Sequence, residues 1–515
     1  MLLKVHSAAV LGVQAQTIDI EVDMTVAVGQ HYHVVGLPDT AIKESGKRVK
    51  AAIRNCGYGF PQSGSITVNL APADFKKEGS CYDLPIALAL LGLMGAIEPA
   101  TLQDWMILGE LSLDGKVRPI KGALPVAVSA ENNHFEKLLL PSDNAKEAAV
   151  VQGVSVYSAR SLKQVLRLLN GDNSEFHPVE VDRDKLFQKL SGRQLDFADV
   201  KGQLAARRAV EVACAGGHNI LLIGPPGAGK TMLAKRIPSI MPPMTFAEAL
   251  STTSVHSVCG LLRTEQQFVS TRPFRSPHHT ISTAGLVGGN TNPRPGEVSL
   301  SHNGVLFLDE LPEFQRQVLE VLRQPLEDGC ITISRAARTL TFPSKFMLAA
   351  AMNPCPCGYF NSVLRDCVCT PGQIHRYLAK ISGPLLDRID LHIEVPEVEY
   401  KDLTCRDDGE ASSEIVARVT AARQKQLQRF QDPEVLCNAQ MDPKMIKSFC
   451  RLDKPGKLQL EEAIQKLGFS ARAYDRILKV ARTIADLSQS ETIRSEHVAE
   501  AIQYRSLDRN LWNTY

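Results

Sequence analysis

Apolar stretches at 17–22, 65–70, 137–140 and 154–157 are separated by helix-like runs such as 39–54 and 84–94 over the first 170 or so residues. Short alternating stretches predict half-buried strands, and apolar positions three and four apart predict amphipathic helices, so 1–170 is expected to form an α+β domain. Periodicity then lapses across 171–195, where Gly171, Asp172, Asn173, Ser174, Glu175 and Pro178 gather, and an exposed linker is expected there. Beyond it, strand-like segments at 219–223, 304–308 and 345–351, with helical stretches between them, predict a parallel α/β sheet over 196–400. From 401 to 515 the β-branched runs stop. Helical spacing at 411–430, 457–467, 470–488 and 495–505 predicts a C-terminal helical bundle. The fold class read from the pattern is a multidomain α/β protein.

Composition narrows the class. The 515 residues are 44% hydrophobic and 22% charged, with 35 Gly and 29 Pro, which suits a folded chain of about three domains. The longest uncharged apolar run, 84–97, falls short of the roughly 20 residues that cross a bilayer and is broken by Pro85, Gly92 and Gly95, so no membrane span is expected. The apolar stretch near the start ends by Gln14, too early for a secretory segment, and the mature chain is expected to begin near Met1. A net charge of +2 places any nucleic-acid surface locally, not globally. Of the 12 cysteines, eight are scattered singly, which is no disulfide framework, and a reducing, cytoplasmic setting follows.

The most specific chemistry lies at Gly224-Pro225-Pro226-Gly227-Ala228-Gly229-Lys230-Thr231, a G-x-x-x-x-G-K-[ST] loop directly after an apolar strand. Backbone N–H groups of such a loop close around phosphates at a helix N-terminus, Lys230 reaches the β and γ phosphates of ATP, and Thr231 offers a hydroxyl to Mg²⁺. About 80 residues on, Asp309 and Glu310 end the apolar run 305–308: Asp309 is placed to hold Mg²⁺ through water and Glu310 to polarise the attacking water. Asn353 ends the next apolar run, where a short amide can bond the γ phosphate or the water. Phosphoryl transfer also wants an arginine, which a neighbouring subunit can supply. Arg388, before the strand-like run 391–395, and Arg472, at the start of a helix, are the candidates.

Together with Arg272-Pro273-Phe274-Arg275-Ser276-Pro277-His278-His279, Arg294-Pro295-Gly296-Glu297, Met352-Asn353-Pro354-Cys355-Pro356-Cys357-Gly358 and Gly383–Asp390, these motifs make the chain resemble the ComM/YifB family over nearly its whole length. The resemblance implies an AAA+ ATPase of the magnesium-chelatase-like branch, with a central AAA+ domain and a helical lid. It further implies a hexameric ring that moves on single-stranded or branched DNA as a branch-migration helicase in natural transformation, with recombination proteins as partners. By the same resemblance Asn353 is sensor 1, Arg388 a finger acting in trans and Arg472 sensor 2, and 331–340 is a hairpin reaching into a central pore. Read directly, two β-prone segments flank Arg335 and Arg338, so a turn there carries two guanidiniums that can grip phosphates without reading bases.

Residues 78–83 and 109–122 resemble the proteolytic domain of Lon. Cys81 stands where that protease has its serine and Leu124, which accepts no proton, where it has its lysine; Lys121 lies three residues early. The domain is therefore expected to be catalytically dead. On a helix expected over 39–54, Lys43, Lys47, Lys50 and Arg54 form one stripe beside apolar Ile42, Val49 and Ile53: a cationic face for DNA, or simply a solvated one. Finally, Cys355, Cys357, Cys367 and Cys369 lie within fifteen residues and either bind one Zn²⁺ or remain reduced thiols. The reading that joins these signals is an ATP- and Mg²⁺-dependent DNA motor. A chelatase-type motor remodelling a protein or metal-insertion partner is the alternative.

Overall fold

The computed structural model describes every residue except 1, 173–175, 184–185, 187–194, 263–266, 290–292, 336–337, 361, 363–364, 398–408, 433, 468 and 506–515. The chain divides into two units, one made of 1–189 with 249–270 and the other of 190–248 with 271–515.

In the first unit a seven-stranded mixed sheet runs, in spatial order, Gln30–Val35, Gly64–Ala71, Gln14–Thr25, Leu2–Leu11, Trp105–Ile107, Lys137–Pro141, Ser155–Ala159. Its long central hairpin pairs Leu2–Leu11 with Gln14–Thr25 antiparallel, while the last three strands run parallel. The apolar run at 84–97 is mostly the helix Asp83–Leu93, buried along nearly its whole length, which is why it carries no polar face. Two expectations are corrected. Of the linker expected at 171–195, Phe176 is packed in this unit's core, the Val179 amide donates to the Val156 carbonyl and Arg183 donates to the Val150 carbonyl, so the described part 176–183 is docked chain. Residues 249–270, expected within the ATPase core, belong to this unit: Leu250 packs on the cluster around Ala123 and Leu124, and the Gly122 amide donates to the Ser257 carbonyl.

The second unit holds a five-stranded parallel sheet in the order Phe274–Arg275, Val305–Leu308, Met347–Met352, Ile220–Ile223, Leu391–Glu394. Its three central strands are buried at every position, as a sheet covered on both faces requires. The expected C-terminal helices are present as Ser412–Phe430, Lys454–Leu467, Ala471–Leu487 and Ser495–Gln503, with Pro443–Phe449 in addition. They share one continuous hydrophobic core with the sheet, so this bundle is a part of the second unit and not a separately cored domain.

A buried polar joint reinforces that union. Asp390, just before the strand Leu391–Glu394, pairs with Arg476 of the helix Ala471–Leu487, accepts from the Asn219 amide at 3.1 Å and faces His218 Nδ1 at 3.4 Å. His218 Nε2 meets Thr483 Oγ1 of the same helix at 2.8 Å. Burial alone would raise the Asp390 pKa, but Arg476 and His218 more than offset it and hold the carboxyl well below the usual range. Because the folded pKa is depressed, this carboxylate's stabilisation is fully present above its unfolded pKa of about 3.9 and declines only as pH falls through the folded value. Asp390→Asn leaves a guanidinium without its buried partner and is expected to cost roughly 3 kcal/mol. Calorimetry should show unfolding of this unit at lower temperature, with less acid sensitivity than in the parent.

Candidate active site

The strand Ile220–Ile223 lies at the middle of the parallel sheet and delivers the loop 224–229 to the carboxyl ends of the strands, where open α/β sheets bind ligands. Gly224 has no room for a side chain, since a Cβ there would meet the Val395 carbonyl oxygen at 2.1 Å, and Gly227 and Gly229 both adopt φ near +80°. The helix Lys230–Ile240 follows at once.

Four of the expected residues converge on this loop. Lys230 Nζ donates to the carbonyls of Gly224 at 2.7 Å and Pro225 at 2.8 Å and to Asn353 Oδ1 at 3.1 Å, so the lysine already bridges the loop to the end of the strand Met347–Met352. Burial pulls the Lys230 pKa down and the Asp309 charge opposes it. Thr231 Oγ1 donates to Asp309 Oδ2 at 2.7 Å, which brings together the hydroxyl and carboxylate oxygens that suit a hard Mg²⁺ ion. Glu310 sits just past Asp309 in the left-handed region at φ +53°, with its side chain 60% exposed.

The arginines lie elsewhere. Arg388 is buried, donates to the Pro384 carbonyl at 2.5 Å and pairs with Glu327. Arg472 is exposed, and its charge acts with those of Arg388 and Arg323 to hold the Glu327 pKa low, the Arg388 hydrogen bond contributing most. Among the described residues no hydrogen bond or ion pair joins either arginine to 224–231. What the two arginines share is Glu327.

His279, within the motif 272–279, stands beside Glu310. Its Nδ1 lies 3.4 Å from Glu310 Oε2 and its ring lies 4.1 Å from that of His278. The neighbouring motif residues have architectural work: Arg275 grips Glu297 through two bonds of 2.6 and 2.7 Å, tying the two arginine-proline motifs together, and Arg272 pairs with Glu248 at 3.2 Å.

The expected hairpin is present as Cys330–Arg335 paired antiparallel with Arg338–Pro343, and Arg335 stands opposite Arg338 across the turn. Residues 336 and 337 of the expected tip lie outside the described residues. Ile331 and Ile333 are buried, while Thr332 bonds Thr341 at 3.1 Å and Ser334 bonds Thr339 at 3.0 Å on the exposed face.

In the first unit the expected helix over 39–54 is broken at Glu44 into Thr40–Lys43 and Ser45–Asn55. Ile42, Val49 and Ile53 are buried as expected, and Lys43, Lys47 and Arg54 are exposed, but Lys50 is half-buried, bonded to Gln30 and set over the Phe60 ring. Arg48, between stripe positions, turns inward onto Asp83 with bonds of 2.6 and 2.9 Å. Burial pushes the Cys81 thiol up to about 12, and Leu124 is fully buried. Neither offers a nucleophile or a base. Lys121 is exposed.

Cys355, Cys357, Cys367 and Cys369 come together, their sulfurs all within 4.8 Å of one another.

Three family models match the chain: magnesium chelatase subunit ChlI over 196–403, subunit ChlI of Mg-chelatase over 20–144, and the ChlI C-terminal model over 409–505. Among curated proteins the chain is 43% identical to "Competence protein ComM" of Haemophilus influenzae, covering 98% of both chains. It is 42% identical to "Uncharacterized protein YifB" of Escherichia coli, over 98% of this chain and 97% of that one. An alignment of 158 positions, covering 28% of this chain and 27% of the other, is 27% identical to "Lon protease 2" of Bacillus subtilis.

Proposed function

The chain belongs to the ComM/YifB family of magnesium-chelatase-like AAA+ proteins, and from that premise we propose that it is an ATP-hydrolysing ring motor, hexameric by that resemblance, that acts on DNA. The observation that carries this reading is the convergence of Lys230, Asn353, Thr231 and Asp309 at one loop, with Glu310 open beside them. Backbone amides of 224–229 and Lys230 hold the β and γ phosphates. Thr231 and Asp309 present the oxygens that would hold Mg²⁺, which when bound offsets charge on the phosphates. Glu310 takes the proton of the attacking water, and Asn353, already bonded to Lys230, orients that water against the γ phosphate. His279 steadies the carboxylate of Glu310. Arg388 and Arg472 serve the site of the next subunit, a reading supported by their grouping at Glu327 and not at their own loop.

DNA as the substrate, and branch migration during recombination in natural transformation as the task, are supported by the relative whose name is a competence protein and by the hairpin that sets Arg335 opposite Arg338. The first unit serves as a non-proteolytic platform, its residues Lys43, Lys47 and Arg54 offering a cationic face for capture. The matching models carry the chelatase name, so the rival is a motor working on a protein or metal-insertion partner.

ATPase activity measured without DNA and with single-stranded, duplex and four-way-junction DNA separates the two. Stimulation by DNA is expected, and none would favour the rival. Neutralising Arg335 and Arg338 together should remove that stimulation and strand movement while sparing basal turnover. It should also flatten the salt dependence of DNA binding, because each lost phosphate contact removes about one unit of slope. A double variant that moves strands at the parental rate would place the grip elsewhere.

A further inference from the structure

The strand Met347–Met352 ends at Asn353, and from there the chain runs to the helix Pro371–Leu378 with hardly any core of its own. Among the described residues of 354–369 only Pro354, Cys355 and Gly358 are buried, and Val368 is 83% exposed. A loop of this length needs a cross-link to hold one shape.

The sulfurs supply one. Cys355 Sγ lies 3.3 Å from Cys357 Sγ and 3.7 Å from Cys367 Sγ, the latter two are 3.6 Å apart, and Cys369 completes the group. Four thiolates around a tetrahedral zinc, with Zn–S bonds of about 2.3 Å, lie roughly 3.8 Å from one another. These spacings fit that geometry and are far longer than a disulfide bond of about 2.05 Å. The Gly358 and Phe360 amides both donate to Cys355 Sγ, at 3.2 and 3.4 Å, which is the outer support a thiolate ligand requires.

This cluster touches the nucleotide site from two sides. Cys355 lies two residues after Asn353, whose amide oxygen accepts from Lys230. Gly358, at φ +89°, sits so close to the nucleotide loop that a Cβ there would meet Pro226 Cδ at 2.5 Å. We propose that Cys355, Cys357, Cys367 and Cys369 bind one zinc ion whose role is to brace Asn353 and Pro226, so that the metal governs hydrolysis more than nucleotide binding. The coupling half of this inference rests on the proposed role of Asn353. Zinc, with no redox chemistry and a closed shell of four sulfurs, is a brace and not a reactant here.

The test uses the full chain, purified under reducing conditions without chelator. Elemental analysis should find about one zinc per chain. Removing the metal with a chelator, or substituting Cys369→Ser, should lower ATP turnover roughly 10-fold or more while affinity for a fluorescent ATP analogue changes by less than about 3-fold. Gly358→Ala keeps all four thiols and should retain zinc but lose turnover, since it strains the contact with Pro226. Protein without zinc, protein carrying iron, or stripped protein with parental turnover would each overturn the proposal. Metal content and nucleotide affinity are read without turnover, so a parent that binds zinc and ATP yet never hydrolyses would overturn the roles given to Asn353 and Glu310 and not the metal centre.

Discussion

Lys230→Ala is expected to weaken ATP binding on the order of 100-fold, whereas Glu310→Gln should bind ATP as the parent does and hydrolyse it roughly 100- to 1,000-fold more slowly. The two residues differ in what they touch. Lys230 is buried and spans the Gly224 and Pro225 carbonyls and Asn353, so its loss removes both a phosphate contact and the tie that shapes the loop. A nucleotide must replace those contacts with phosphate oxygens, a charge-assisted bond that alanine cannot form. Glu310 faces His279, and glutamine keeps its size while losing the base. Equilibrium binding of a fluorescent analogue together with single-turnover hydrolysis decides the matter. Equal loss of binding in both variants would remove Glu310 from the role of base.

That contrast could be drawn from the sequence because the loop 224–231 and the pair Asp309-Glu310 are contiguous, and their chemistry is set by a few residues at the end of an apolar strand. Strands such as Ile220–Ile223 and Val305–Leu308 were legible for the same reason, being uninterrupted apolar runs in a sheet covered on both faces. What escaped notice depends on partners distant in the chain. Asp390 and Arg476, or Arg48 and Asp83, read as ordinary charges until the fold sets them together. The helix break at Glu44 has a signal in the Ser45-Gly46 dipeptide that follows it, but the apolar spacing of Ile42, Val49 and Ile53 runs through it unbroken; Gly46 lies inside the second helix against the Tyr32 ring. Composition marks 171–195 as exposed chain, yet Phe176 is buried in the core and Val179 and Arg183 bond to distant carbonyls, contacts that composition does not show. Segment 249–270 lies in sequence inside the 196–400 span, but chain position does not say which core its side chains fill.

The separation of Arg388 and Arg472 from Lys230 leads to the other large effect. Arg388→Ala is expected to lower turnover by about three orders of magnitude, the range of an arginine finger. Loss of its pair with Glu327 could produce the same fall by disturbing the subunit's own structure, so the single variant does not decide the question. Mixing does. In a closed ring assembled at random from equal amounts of Arg388→Ala and Glu310→Gln subunits, about a quarter of the interfaces join an intact Glu310 to a neighbour's intact Arg388. Turnover should therefore rise from near zero for either variant alone to a substantial fraction of the parental rate, peaking near equal proportions. The active sites in such rings belong to the Arg388→Ala subunits themselves, so a variant inactive through misfolding would not recover. Steady-state ATPase across mixing ratios, with mixed rings verified by differently tagged subunits, provides the measurement. A flat, inactive profile would show that Arg388 serves its own subunit through Glu327.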